Sequence, residues 1–221
     1  MRNMKLDNSR YNESNCNLLK YYAEIKKGNI VAGRELTREL ENLVNDLKYN
    51  DEYFYDTTTA NARFDFMENF IRLTKSPYYN KPLKLMLWQK AFIEILYSFK
   101  MKKEFVDNGK VIDRFKKALL LIARKNCKSE TCSALGNAEF ILGKDGSDLV
   151  CSSNDDNQAS IVYDAINTMR NMYDINDAFT KKNQRFILRK DNGTKIFKLS
   201  DKTRNKEGRV NRPFENLKKV G

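Results

Sequence analysis

Ala118-Leu-Leu-Leu-Ile-Ala-Arg-Lys-Asn-Cys-Lys-Ser129 is the stretch on which the fold turns. Five apolar residues, Ala118 to Ile122, run without interruption, the pattern of a parallel strand buried on both faces. A short polar turn follows, and Lys128-Ser129 open a segment with helical spacing. Strand, tight loop, then Lys-Ser at a helix N-terminus is the layout of a nucleotide phosphate cradle. In that layout Lys128 meets the β- and γ-phosphates, the Ser129 hydroxyl takes Mg²⁺, and the amides of Lys125, Asn126 and Cys127 wrap phosphate oxygens. Arg124, four residues before the lysine, is spaced to reach the γ-phosphate. The pattern G-x-x-x-x-G-K-[ST] nevertheless fails twice, with Ile122 and Cys127 at its glycine positions. A core strand leading into a surface helix with ordinary basic residues is the competing reading.

Outward from this stretch, the segments alternate. Asp148-Leu-Val-Cys-Ser152 reads as a second parallel strand. Helices are expected before and after it, from Ser129 to Leu142 and from Asn154 to Met172, the latter burying Ile161, Val162, Ala165, Ile166 and Met169. Strand–helix–strand–helix is the repeating unit of a parallel α/β sheet. Arg185–Arg189 and Lys195–Leu199 read as two strands joined by Asp191-Asn-Gly193, a hairpin signal. The alternation in the second suggests a sheet-edge strand with one wet face. A further hairpin is expected around Asp107-Asn-Gly109, between Glu104–Val106 and Val111–Ile112.

Upstream the periodicity is helical: Asn17 to Lys27, stopped by Gly28; Arg34 to Leu47, with Leu36, Leu40, Leu43, Val44 and Leu47 on one face; and Thr58 to Leu73, with Phe64, Met67, Phe70 and Ile71 inward. Such stripes are core. A fourth helix opens near Leu87-Trp88-Gln89. The Gln89 amide presents a donor and an acceptor that match the N6/N7 edge of adenine. A core tryptophan beside an exposed glutamine is the plainer alternative. These segments divide the chain into a helical N-terminal region (1–75), an α/β region that carries the Lys-Ser loop (76–208) and a basic tail (209–221).

The 221 residues hold 41 Lys/Arg against 29 Asp/Glu, a net charge of +12. Residues 181–221 carry 14 of those cations against 4 acids, leaving only +2 for the first 180. A basic end of that kind suits a polyanionic partner, nucleic acid foremost, or a solvated tail. The four cysteines lack the paired spacing of a zinc site. The chain contains no histidine, which excludes mechanisms built on a histidine base or ligand. No apolar run approaches the ~20 residues of a membrane span, so a soluble, cytoplasmic protein is expected.

With these landmarks placed, the sequence resembles the large terminase subunit of tailed bacteriophages, the DNA-packaging motor. The resemblance rests on Tyr21-Tyr22…Gly28-Asn-Ile-Val-Ala-Gly33, Leu87-Trp-Gln89, Ala123-Arg-Lys-Asn-Cys-Lys-Ser129, Ser152–Ser160 and Asn192-Gly-Thr-Lys-Ile-Phe-Lys-Leu-Ser-Asp201. It implies a P-loop NTPase-type parallel sheet, here incomplete, behind a helical N-terminal region, which makes 76–208 a partial P-loop ATPase domain and the tail 209–221 divergent. It implies ATP and Mg²⁺ as cofactors, with Lys128 and Arg124 catalytic, Ser129 on the metal, and Trp88, Gln89 and 125–129 around the nucleotide. Its partners would be double-stranded DNA, the small terminase subunit and the portal or procapsid, in the cytoplasm of a bacterial host. The family has glycine at the position of Cys127. It also implies an acidic pair at the end of a further buried strand, and a nuclease domain. Neither is found in the sequence, which reads as a truncated form. A catalytically inactive remnant, or a basic module binding nucleic acid or other subunits, is the alternative.

Overall fold

The computed structural model of the chain describes residues 10–102, 111–153 and 155–200. They form two compact units, one taking residues up to Arg72 together with Lys81–Thr131, the other Leu73–Asn80 and everything from Cys132.

The first unit is built on helices α1 (Asn17–Lys26), α2 (Arg34–Tyr49), α3 (Thr58–Phe70) and α4 (Leu87–Ser98). Helix α4 packs against α1 and α3, and α1 against α2. A small antiparallel sheet runs beside them, ordered β1 (Tyr53–Tyr55), β2 (Phe99–Met101) and β3 (Ile112–Asp113). Gly28 ends α1 at φ 78°, a conformation that glycine adopts without steric cost. Leu18, Leu40, Leu43, Val44, Leu47, Tyr55 and Phe99 close one core cluster.

That core contains a carboxylate. Glu94 of α4 is fully buried and accepts the backbone N–H groups of Asn17 (3.0 Å) and Leu18 (3.1 Å) and the Tyr55 hydroxyl (2.8 Å). Cys16, the residue before α1, supplies no side-chain cap. Glu94 therefore caps α1 from a different helix, its charge set against the positive end of the helix dipole.

Helix α5 (Lys128–Leu142) starts in the first unit and continues into the second. The second unit holds β4 (Asp148–Ser153), α6 (Asp156–Tyr173), a 3-10 turn (Ile175–Asp177), β5 (Thr180–Lys182), β6 (Phe186–Arg189) and β7 (Lys195–Ser200). The sheet order is β4-β7-β6-β5. Phe140 of α5, Tyr163 and Ile166 of α6, and Ile187 and Ile196 of the sheet form its core. Asn137, fully buried, locks α5 to α6: its amide donates to the Ser133 (3.0 Å) and Ile166 (3.2 Å) carbonyls, and its oxygen accepts the Tyr173 hydroxyl at 2.8 Å.

The helices begin and end close to where their periodicity puts them, but the sheet departs from expectation. Ala118–Ile122 is not a strand, because no described strand lies alongside to hydrogen-bond it. Leu119 and Leu121 are 86% and 87% exposed. Only the alternate pair, Leu120 and Ile122, is partly covered, lining a hollow with Trp88 and Phe92. The main sheet is mixed rather than parallel. Among the described strands only β4 and β7 run parallel, and the β5–β6 hairpin occupies part of the long connection that a parallel pair requires. Strand β7 is interior, flanked by β4 and β6, so its alternation does not mark an edge.

Leu36 (45%), Phe70 (55%) and Ile161 (48%) are exposed although periodicity assigned them inward. Tyr163, not Ile161, fills the α6 core position. The Asp107-Asn-Gly109 turn and the strand expected before it lie outside the described residues, as does the 209–221 tail; β3 pairs with β2. Among the described residues no helix is long and apolar enough to cross a membrane.

Candidate phosphate-binding loop

The residues between Ala123 and Lys128 form a tight polar turn that feeds directly into α5. Two of them lie in the left-handed region, Lys125 at φ 68° and Cys127 at φ 55°. Alternation of hand along a short backbone run turns successive N–H groups toward a common concave side, the arrangement called a nest, which suits anions. The side-chain amide of Asn126 donates to the Ala123 carbonyl at 3.3 Å, bracing the turn across its mouth. Arg124, Lys125 and Lys128 are exposed, and Ser129 is half-covered in the first turn of α5. The first turn of a helix carries unsatisfied N–H groups and a partial positive charge. The stretch 124–129 thus gathers cations, a hydroxyl and a helix N-terminus within six residues.

Cys127 immediately precedes α5, and its carbonyl is doubly held. It accepts the Thr131 backbone N–H at 2.8 Å and the Thr131 hydroxyl at 2.8 Å. Thr131 is 3% exposed. Its hydroxyl in turn accepts the Gln89 side-chain amide at 2.7 Å, and the Gln89 oxygen accepts the Met86 backbone N–H at 2.7 Å. The direction of each bond is fixed by chemistry. The Met86 N–H can only donate, so the amide oxygen faces it and the nitrogen faces Thr131. The threonine proton is then free for the Cys127 carbonyl, which can only accept.

The structure thus joins Gln89 to the loop, but by a route that base complementarity did not suggest. Gln89 is 2% exposed, with its oxygen and its nitrogen both engaged inside the protein. Trp88, half-buried, turns to a different neighbourhood, an apolar cavity of about 330 Å³ lined also by Tyr21, Leu36, Phe92, Leu120 and Ile122. Thr131 was not singled out by motif, although its four-residue spacing from Cys127 is the distance at which a helical threonine reaches a carbonyl. Among the described residues no group of three or more His, Cys, Asp or Glu is placed to hold a metal ion.

Comparison with known proteins gives one solved likeness to set beside this geometry. No family model matches the chain, and no curated protein matches it significantly. The fold superimposes on the large terminase of bacteriophage HK97, with a TM-score of 0.51 and 20% sequence identity, over 69% of this chain and 28% of that one. The likeness is one of α/β fold, and the chain spans little more than a quarter of the protein it matches.

Proposed function

We propose that this chain is a nucleoside-triphosphate-binding portion of a DNA-packaging terminase large subunit. The observation that carries the reading is the left-handed turn at Lys125 and Cys127 delivering Lys128 and Ser129 to the N-terminus of α5. The fold likeness to a phage large terminase supports it.

ATP with Mg²⁺ fits the residues present. Lys128 is exposed at the loop's exit and would neutralise β- and γ-phosphate oxygens, while the amides of Lys125–Cys127 would receive the remaining phosphate oxygens. The Ser129 hydroxyl would take a Mg²⁺ coordination position; the ion, when bound, neutralises charge developing on the β- and γ-oxygens. Arg124, exposed at the loop's entrance, would lie against the γ-phosphate and stabilise charge there. The exposed cations suit double-stranded DNA as the substrate of the complete motor, with the small terminase subunit and the portal as its neighbours.

The test is nucleotide binding and hydrolysis by the purified chain, with and without DNA, beside Lys128→Ala. Binding lost in the variant supports the phosphate site. Equal binding in both overturns it. Turnover that depends on Lys128 would place a water-activating carboxylate within this chain, whereas binding without turnover assigns it a holding role in the motor.

A further inference from the structure

Resting on the phosphate-site reading, we infer that Gln89 acts on the loop and not on a base: through Thr131 it fixes the carbonyl of left-handed Cys127, and so sets affinity for the triphosphate whatever nucleobase that triphosphate carries.

The inference follows from a chain of four groups in one direction. Met86 N–H donates to Gln89, Gln89 to Thr131, and Thr131 to the Cys127 carbonyl, at 2.7, 2.7 and 2.8 Å. Gln89 and Thr131 are 2% and 3% exposed, so water does not compete for these bonds. A residue other than glycine at φ 55° pays for its conformation, and such conformations persist only where the surroundings over-determine them. The doubly held carbonyl is that over-determination. It fixes the peptide plane between Cys127 and Lys128, and with it the direction of the Lys128 N–H, the first of the helix N-terminus. An adenine contact, by contrast, needs a glutamine amide that faces solvent with its donor and acceptor presented together. Gln89 presents neither. It touches no reacting atom and is a positioning residue.

The proposal separates from base recognition by four variants. Gln89→Ala removes the first two links. Thr131→Val keeps shape and removes the hydroxyl. Gln89→Glu keeps the acceptor for the Met86 N–H but replaces the donor to Thr131 with a second acceptor, so the threonine proton is drawn to the carboxylate and away from Cys127. Thr131→Ser keeps the hydroxyl. Amide hydrogen exchange across 123–131 in the ligand-free protein reads the relay directly. Dissociation constants for ATP, GTP and inorganic tripolyphosphate read its consequence.

The expected result is faster exchange in Gln89→Ala, Gln89→Glu and Thr131→Val, with about tenfold weaker binding of all three ligands, and wild-type behaviour in Thr131→Ser. Loss confined to ATP in Gln89→Ala would overturn the proposal in favour of base reading. Unchanged exchange in Thr131→Val would overturn the relay. Wild-type protein that binds none of the three ligands would overturn the phosphate site and the affinity claim with it, and accelerated exchange in the variants would then locate the failure in the phosphate-site reading and not in the relay.

Discussion

Cys127 carries two burdens at once. Its φ of 55° is one that L-residues enter at a cost of about 1–2 kcal/mol, and its exposed thiol sits where phosphate oxygens would approach. Cys127→Gly is expected to raise stability by about 1 kcal/mol, read as a higher urea midpoint. It should also tighten binding of a fluorescent ATP analogue up to tenfold. Cys127→Ala, which keeps the Cβ, should not gain in stability. Equal midpoints for the glycine and alanine variants would refute the strain argument. Glu94 is the opposite kind of residue, costly to bury and wholly committed. Removing it leaves the Asn17 and Leu18 N–H groups and the Tyr55 hydroxyl without their acceptor in the core, so Glu94→Ala should lose about 3–5 kcal/mol in chemical denaturation. The same carboxylate bears on Cys16: burial first, and then the Glu94 charge, push that thiol up to about 12. Cys16 should therefore resist a thiol reagent at pH 8 that labels exposed Cys127 and Cys132 at once.

At the scale of elements, the helices and the strands β4, β6 and β7 were legible, but which strands lie beside one another was legible only for the β6–β7 hairpin, for a physical reason. A helix satisfies its backbone within itself, so Leu40, Leu43, Val44 and Leu47 announce α2 by spacing alone. A strand exists only through its neighbour. Ala118–Ile122 has the composition of a buried strand and no described partner, and β7 has the alternation of an edge strand and two partners. The candidate loop was half legible. Lys128 and Ser129 stood out by motif, but the buried bond from Gln89 to Thr131 spans 42 residues and no local pattern encodes it. The turn between α6 and β5 was equally silent, and it stores a pH dependence. Asp174, fully buried, accepts the backbone N–H groups of Phe179 (3.2 Å) and Thr180 (2.9 Å) and the Thr180 hydroxyl. Burial alone would raise its carboxyl, but those hydrogen bonds prevail and hold it below the ordinary value of 3.8. A depressed carboxylate stabilises the fold above its unfolded pKa, and that contribution fades as pH falls through the lower folded value. Asp174→Asn should thus be clearly less stable than wild type at pH 6, with the gap narrowing below about pH 4. A gap independent of pH would show that the charge on Asp174 is not what holds the turn.

For the molecule as a whole, the stretch 118–122 is expected to govern association in solution. Leu119 and Leu121 stand almost fully exposed on a segment with no described strand beside it, two residues from the loop that begins at Ala123. An apolar, uncharged run of this kind offers its exposed side chains to another chain. The net charge of +12 opposes association at long range, but salt screens that repulsion within about 10 Å at 0.1 M and leaves the contact itself untouched. Self-association should therefore grow with added salt, the reverse of what a charge-driven contact would do. Leu119→Lys/Leu121→Lys should abolish it without lowering the unfolding midpoint, since neither side chain is buried. Leu120→Lys should instead destabilise the first unit, because Leu120 lines the hollow beside Trp88 and Phe92. Sedimentation velocity at 50 and 300 mM salt distinguishes these cases. A double variant that still associates, or a wild type that dissociates as salt rises, would move the contact from this segment to the charged surface.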